Sequence, residues 1–428
     1  MNPGAKWLRI RWRKADAMRS ILFAAVVAVA AAARLAAGGE TVRVASADAL
    51  RDALRRAQAG TCILIGPGDY EGYFGVANLH GTAERPIVIA AADPAQPPVF
   101  RGAGGCIHLI SVSHIVLRGL VLTGGKMNGL NIDDGSTITS PSHHIVLEGL
   151  AVRDIGPRGN CDGIKLSGVD DFLIRRCTVE RWGSGGSAID MVGCHRGLII
   201  DSTFRHTSGA SGVQAKGGSC DVVVYGCRFA NAGQRAVNMG GNTGKPFFRP
   251  PSPGYEAKRI AAVGNTFLGS MSPLTFVGSE DCIASFNTIY RPSSWVLRIL
   301  QESRGEEFAP SRNGTFRRNI VVWRARDLRE VVGVGRGTAP ETFSFDSNWW
   351  YCEDRPAESQ PALPTADQSP VVGEDPGLRA DDLTVTPSRK LDHGAGSPRA
   401  AVEFARLGAK LAPWAVERAR QAEPEAKR

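Results

Sequence analysis

The sequence lacks any apolar run long enough to cross a bilayer as a helix. Its run at 21–33 holds 13 residues, where about 20 are needed. The run follows Lys6, Arg9, Arg11, Arg13, Lys14 and Arg19 and precedes Leu35, Ala36 and Ala37. That order is the pattern of a secretory leader over residues 1–37, with an uncleaved anchor as the alternative. The expected location is therefore secreted or periplasmic, with no membrane contact once the leader is removed. Excess charge is scarce too. Seven positive and one negative residue in 1–37 account for +6 of the formal +9. The remaining +3 or so gives no reason to expect a nucleic-acid partner.

Zinc-binding cysteine motifs are missing as well, since no CxxC pair and no His/Cys cluster has ligand spacing. Nine cysteines, an odd and widely spaced set, do not make a disulfide scaffold. Cys177 and Cys227 instead occupy equivalent places in a repeat where Ser202, Asn265, Asn287 and Asn319 stand in other copies. A buried ladder explains that pattern better than a bridge.

What the chain has is repetition. GIKLSG (163–168), AIDMVG (188–193), GVQAKG (212–217) and AVNMGG (236–241) follow one another at intervals of 25, 24 and 24 residues. A fixed period of this size, with strand alternation and no amphipathic helix inside it, is the mark of a stacked β-solenoid. Successive side chains on a strand face opposite ways. Ile164, Leu166, Ile189, Met191, Val213, Ala215, Val237 and Met239 then point inward. Lys165, Asp190, Gln214 and Asn238 form one exposed ladder, and Ser167, Val192, Lys216 and Gly240 another. Stacked rungs lie about 4.8 Å apart, so residues a full period distant become neighbours.

Upstream, Leu50, Ala53, Leu54 and Ala57 recur at helical spacing between Ser46 and Gly60, which predicts a helix capping the open end of the solenoid. Then come PGDYEG (67–72) and GTAERPIVIA (81–90). These two motifs, in this order and ahead of the coils, resemble the amino-terminal region of polysaccharide lyase family 6, the chondroitinase B and alginate lyase group. The resemblance spans roughly residues 46–348. It implies an all-β fold, a right-handed parallel β-helix of the pectate-lyase-like kind with the N-terminal helical cap. It also implies β-elimination on a uronic-acid polysaccharide. The expected organisation is a leader at 1–37, cap and first coils at 38–105, β-helix at 106–356, and an irregular region with a helical tail at 357–428.

Such an elimination needs a cation for the carboxylate, a base for the C5 proton and a donor to the leaving oxygen. By the resemblance, Lys216 in GVQAKG is the base. The catalytic arginine belongs on the next coil, where Arg235 supplies it from a displaced position, the register of the family's Arg-His pair falling on Asn238 and Met239. Calcium is a possible cofactor by the same resemblance, but Gly209 and Ser211 stand where its acidic ligands would be, so no metal site is assigned. Asp133 and Asp134 offer a further cation site, or a plain turn. The expected groove runs across Lys165, Asp190, Gln214, Lys216, Arg235 and Asn238, with Arg298 further along. An insertion of about 13 residues that includes KPFFRPPSPGY at 245–255 brings Lys245, Phe247, Phe248 and Arg249 as a wall for sugar rings and carboxylates.

Two alternatives belong to other classes. Asp162 and Asp190 can be the acid and base of a glycoside hydrolase, or else, with Lys165, a structural ion pair. A non-catalytic glycan-binding or envelope-associated solenoid fits the same ladders. The partner expected in each case is an acidic polysaccharide, met by a monomer.

Overall fold

The computed structural model describes residues 39–421 except 208, 383–384 and 389–390; the leader at 1–37 lies outside the described residues. Three long parallel sheets of 14, 10 and 12 strands dominate. Each coil contributes one strand to each sheet. Ile164–Ser167, for example, leads to Val169–Arg175, then Thr178–Glu180, then the next coil at Ser187–Val192. Parallel connections of this kind wind right-handed, and the chain is a right-handed parallel β-helix. Equivalent residues of the repeats pair directly, as in Lys165↔Asp190 and Asp190↔Gln214. The inward residues read from the alternation line one continuous core.

The corners of the coils are built from two devices. Glycines at the end of each repeat take positive φ, 64° at Gly168, 58° at Gly193 and 64° at Gly217, where a side chain is strained. A Cβ at Gly193 would also lie 2.4 Å from that of Arg249. A few residues on, Asp171, Arg196, Asp221 and Arg259 all adopt positive φ, although none is glycine. Their side chains pair along the axis, Arg196 on Asp171 at 2.9 Å and Arg259 on Asp221 at 2.6 Å, which offsets part of the conformational cost.

The second bend carries the ladder expected from the sequence. Cys177 N–H donates to Ser202 Oγ, and Cys227 N–H to Asn265 Oδ1. From there Asn265, Asn287, Asn319 and Asn348 each use the side-chain oxygen of the next coil, and Asn348 ends on Asp367. All nine cysteines are free thiols, and burial pushes Cys177 and Cys227 up to about 12. The coils also run further than the proline content of 357–377 suggests, because Asp367–Gln368 and Val371–Val372 still pair with the sheets.

The helix Ala47–Arg56 is capped by Ser46 and buries Leu50, Ala53 and Leu54 over the first coil. At the other end of the chain, helices Pro398–Leu411 and Pro413–Gln421 fold back along the outside of the 14-stranded sheet. There they cover an apolar column that includes Val116, Val146, Leu173, Leu198 and Val223.

Asn287→Ala removes four buried amide hydrogen bonds at once and leaves the neighbouring backbone groups unpaired. A loss of about 2–3 kcal/mol is expected, read as a fall in the denaturant midpoint, with the parallel-β circular dichroism retained.

Candidate active site on the ten-stranded sheet

The ten-stranded sheet presents its outer face free of covering helices, and register sets what stands there. One column runs Gly75, His108, Asn131, Lys165, Asp190 and Gln214, then continues through Asn238, Thr275 and Arg298. A parallel column places Asp133, Ser167, Val192 and Lys216 on successive rungs. The expected exposed ladders are corrected: Asp190 and Asn238 are both 1% exposed, and Val192 and Gly240 are buried as well. Longer neighbours roof them over.

Three stations follow along the axis. At the centre, Lys165 Nζ bonds Asp190 and lies 3.6 Å from Asp162 Oδ2, while Lys216 Nζ lies 3.5 Å from Asp190 Oδ1. Two buried carboxylates thus hold two half-buried ammonium groups. Burial, then the charge of Asp190, pushes Asp162 up to about 6, with Lys165 opposing. Burial pulls Lys165 down, but Asp190 and Asp162 together hold it above the usual lysine value. Asp162 also accepts from Ser187 N–H at 2.7 Å. Carboxylates sealed under lysines in this way cannot reach a glycosidic bond, so the hydrolase pair of the sequence reading becomes a charge-pairing element. Gln214 accepts from Ser187 and donates to Gly240 O, which fixes the next rung.

Beyond Gln214 the buried Asn238 Oδ1 and Thr275 Oγ1 have no hydrogen-bond partner on the protein. The second station lies past them. Arg235 pairs with Glu302 at 2.5 Å, and Arg298 stacks on Trp295 with 4.2 Å to the ring centroid. Burial and then the Arg235 charge pull Arg298 below its usual value. Of the two, Arg235 alone is paired with Glu302, and Arg298 lies close enough to feel both charges.

The third station lies at the other end of the column and was missed in the sequence. Tyr73 Oη is 2.6 Å from His108 Nδ1, and His108 Nε2 is 2.5 Å from Asp133 Oδ2. Asn131 Nδ2 lies 2.8 Å from His108 Nε2 and donates to the same carboxylate oxygen at 3.1 Å. Burial and then the Asp133 charge raise Tyr73. Burial works against ionisation of Asp133, but the His108 and Gly135 hydrogen bonds hold it below the usual carboxylate range. Extending the alternation two coils upstream, through Asn131 to His108, was the available signal; the reach of Tyr73 across its own strand was not.

The inserted loop is only partly the wall expected. Phe248 is 2% exposed and packs on Phe308 at 5.5 Å between centroids. Arg249 is buried, its Nε 2.6 Å from Asp134 Oδ2. Neither can meet a sugar, because both anchor the loop over the glycine corner, where Arg249 N–H donates to Gly217 O. Of the four named residues Phe247 and Lys245 remain at the surface, Lys245 paired with Glu307 at 2.5 Å. Asp133 and Asp134 do not pool into a cation site, being committed to His108 and Arg249.

The calcium that the resemblance allows does not fit these donors. Asp162 and Asp190 are neutralised by Lys165 and Lys216, and Gly209 and Ser211 add no carboxylate. Among the described residues, ligand atoms converge instead at His114, His143 and His144, within 4.8 Å of one another. That group lies on the 14-stranded sheet, its His144 against Trp414.

No protein-family model matches the sequence, and no curated protein matches it. Among solved structures the chain is similar to an alginate lyase from Paenibacillus sp. str. FPU-7, with a TM-score of 0.51 and 18% identity over 70% of this chain and 99% of that one. It is also similar to a PL6-family polysaccharide lyase from Pseudopedobacter saltans, with a TM-score of 0.50 and 12% identity over 78% and 94% of the two chains. In fold the chain resembles the polysaccharide lyases. At these identities the likeness is one of architecture, and the chemistry has to be argued from the side chains.

Because Asp162 titrates near 6 instead of 3.8, its ionisation costs the folded state more than the unfolded chain. Stability contributed by the neutral carboxyl is present at low pH and lost as pH rises from about 4 to about 6. Asp162→Asn is therefore expected to flatten that part of the stability–pH curve relative to the unsubstituted protein, as measured by urea denaturation at several pH values.

Proposed function

We propose that this β-helix is a lyase acting on an acidic, uronic-acid-containing polysaccharide. The observation that carries the proposal is the charge pattern of the open column: cations at Lys165 and Lys216, then Arg235 paired with Glu302 and Arg298 stacked on Trp295. From Lys165 to Arg298 there are five rungs, about 24 Å at the spacing of stacked strands. That length suits several sugars of a chain lying along the axis, with carboxylates meeting cations at both stations. Both solved structures named above are lyases, which supports the reaction class.

The resemblance assigns Lys216 the role of base. Its ammonium faces Asp190 at 3.5 Å, an arrangement suited to holding a substrate carboxylate; to act as base it must leave that partner and lose a proton. Arg235, beside Glu302, is proposed as a second carboxylate-binding cation. Export, expected from residues 1–37, would place the enzyme where such polymers are met.

The deciding measurement is ultraviolet absorbance of the conjugated double bond made by elimination, followed on a panel of uronate polymers. Lys216→Ala is expected to raise KM about tenfold or more, the worth of one charge-assisted contact, with kcat largely kept. Loss of kcat at unchanged KM would return the base to Lys216. A flat trace from the unsubstituted protein together with measurable polymer binding would leave a glycan-binding solenoid.

A further inference from the structure

The proton-transfer chemistry has a better seat at the amino-terminal end of the same column. We infer that Tyr73, backed by His108 and Asp133, is the catalytic acid–base residue, and that the substrates are polymers of 4-linked D-mannuronate or D-glucuronate. This rests on the lyase proposal and deepens it.

The geometry is that of a relay. Asp133 can only accept, so a neutral His108 carries its hydrogen on Nε2 toward that carboxylate, leaving the Nδ1 lone pair for the phenol 2.6 Å away. This is the histidine–carboxylate arrangement that activates a hydroxyl in hydrolases, with a phenol in the place of the serine. Tyr73 is 50% exposed while His108 and Asp133 are half-buried beneath it, so the reactive oxygen faces the groove and its support does not. The position is specific. The ring lies over Gly75, the rung beside His108, and a Cβ there would come within 2.7 Å of Tyr73 Cε1. Asn131, two residues before Asp133 on the same strand, holds that carboxylate, and Lys165 stands one rung beyond. Lys165 stands about 10 Å from His108 along the column, where it holds the carboxylate of a sugar further along the same polymer.

The steps balance within these groups. The Tyr73 proton passes to His108 Nδ1, whose cation Asp133 stabilises. The phenolate then takes the C5 proton, and the carbanion charge spreads into the carboxylate on the same carbon. As the C4=C5 bond forms and the C4–O bond breaks, Tyr73 returns that proton to the leaving oxygen, and His108 reprotonates the phenolate. One residue on one face can do both only if the C5 hydrogen and the C4 oxygen lie on the same side of the ring. D-mannuronate and D-glucuronate meet that condition. Guluronate and galacturonate, epimeric at C5 or C4, do not.

The test uses the full mature chain on polymannuronate, polyglucuronate, polyguluronate and polygalacturonate, followed by ultraviolet absorbance. The expected result is turnover on the first two. Tyr73→Phe is expected to lower kcat by about a hundredfold or more, the usual worth of a positioned proton donor, with KM and melting temperature unchanged. Gly75→Ala, which displaces the ring without straining the strand, should lower kcat in the same direction. A Tyr73→Phe enzyme with full kcat, or turnover confined to polyguluronate and polygalacturonate, overturns the Tyr73 assignment and leaves the lyase proposal standing. No absorbance change on any of the four polymers from the unsubstituted protein overturns both.

Discussion

The buried amide ladder at the second bend is the interaction on which the rest depends. Asn265, Asn287, Asn319 and Asn348 each donate to a backbone carbonyl of the preceding coil. An unpaired buried amide or carbonyl costs on the order of 1–3 kcal/mol, so a slip of one residue in any coil would expose several such costs together. Register is thereby locked along the axis. On the coils ahead of that ladder the sheet pairing itself sets Lys165 over Asp190 and Asn131 beside His108.

On that fixed frame the charges are arranged to stay cationic toward the groove. Burying Asp162 and Asp190 under Lys165 and Lys216 would be costly if either carboxylate stood alone. Together the four groups form a neutral base with its ammonium groups uppermost, which a uronate carboxylate can approach. Arg235 repeats the idea with Glu302. The Tyr73–His108–Asp133 chain differs in kind. Its groups are joined by hydrogen bonds that can carry a proton, whereas the lysines and arginines are joined by ion pairs that hold one in place.

The covered and open faces of the solenoid follow from hydrophobicity. Leu173, Leu198 and Val223 form an apolar outer column on the 14-stranded sheet, and the two carboxy-terminal helices bury it with Leu407, Leu411 and Val416. The ten-stranded sheet carries polar and charged residues outward and takes no such cover. The inserted loop is held to its margin by Arg249 on Asp134 and by the buried Glu256, which accepts from Gly217 N–H and Thr243. Its phenylalanines divide accordingly, Phe248 into the loop's own packing and Phe247 to solvent.

The sequence by itself determined the coil, because a period of 24 or 25 residues with alternating apolar positions has one economical packing, and the register of GIKLSG with its three successors follows from it. The Cys, Ser and Asn ladder was legible for the same reason: each copy must fill the same corner. Tertiary structure alone decided which outward residues see solvent. Asp190 and Asn238 point outward yet are roofed by neighbours one rung away, Arg249 turned inward because Asp134 lay 115 positions back in the chain, and Tyr73 met His108 by folding across Gly75. Alternation states which side of a sheet a residue takes, but burial and pairing on that side depend on side-chain length and on contacts between distant coils, which a repeat pattern does not encode.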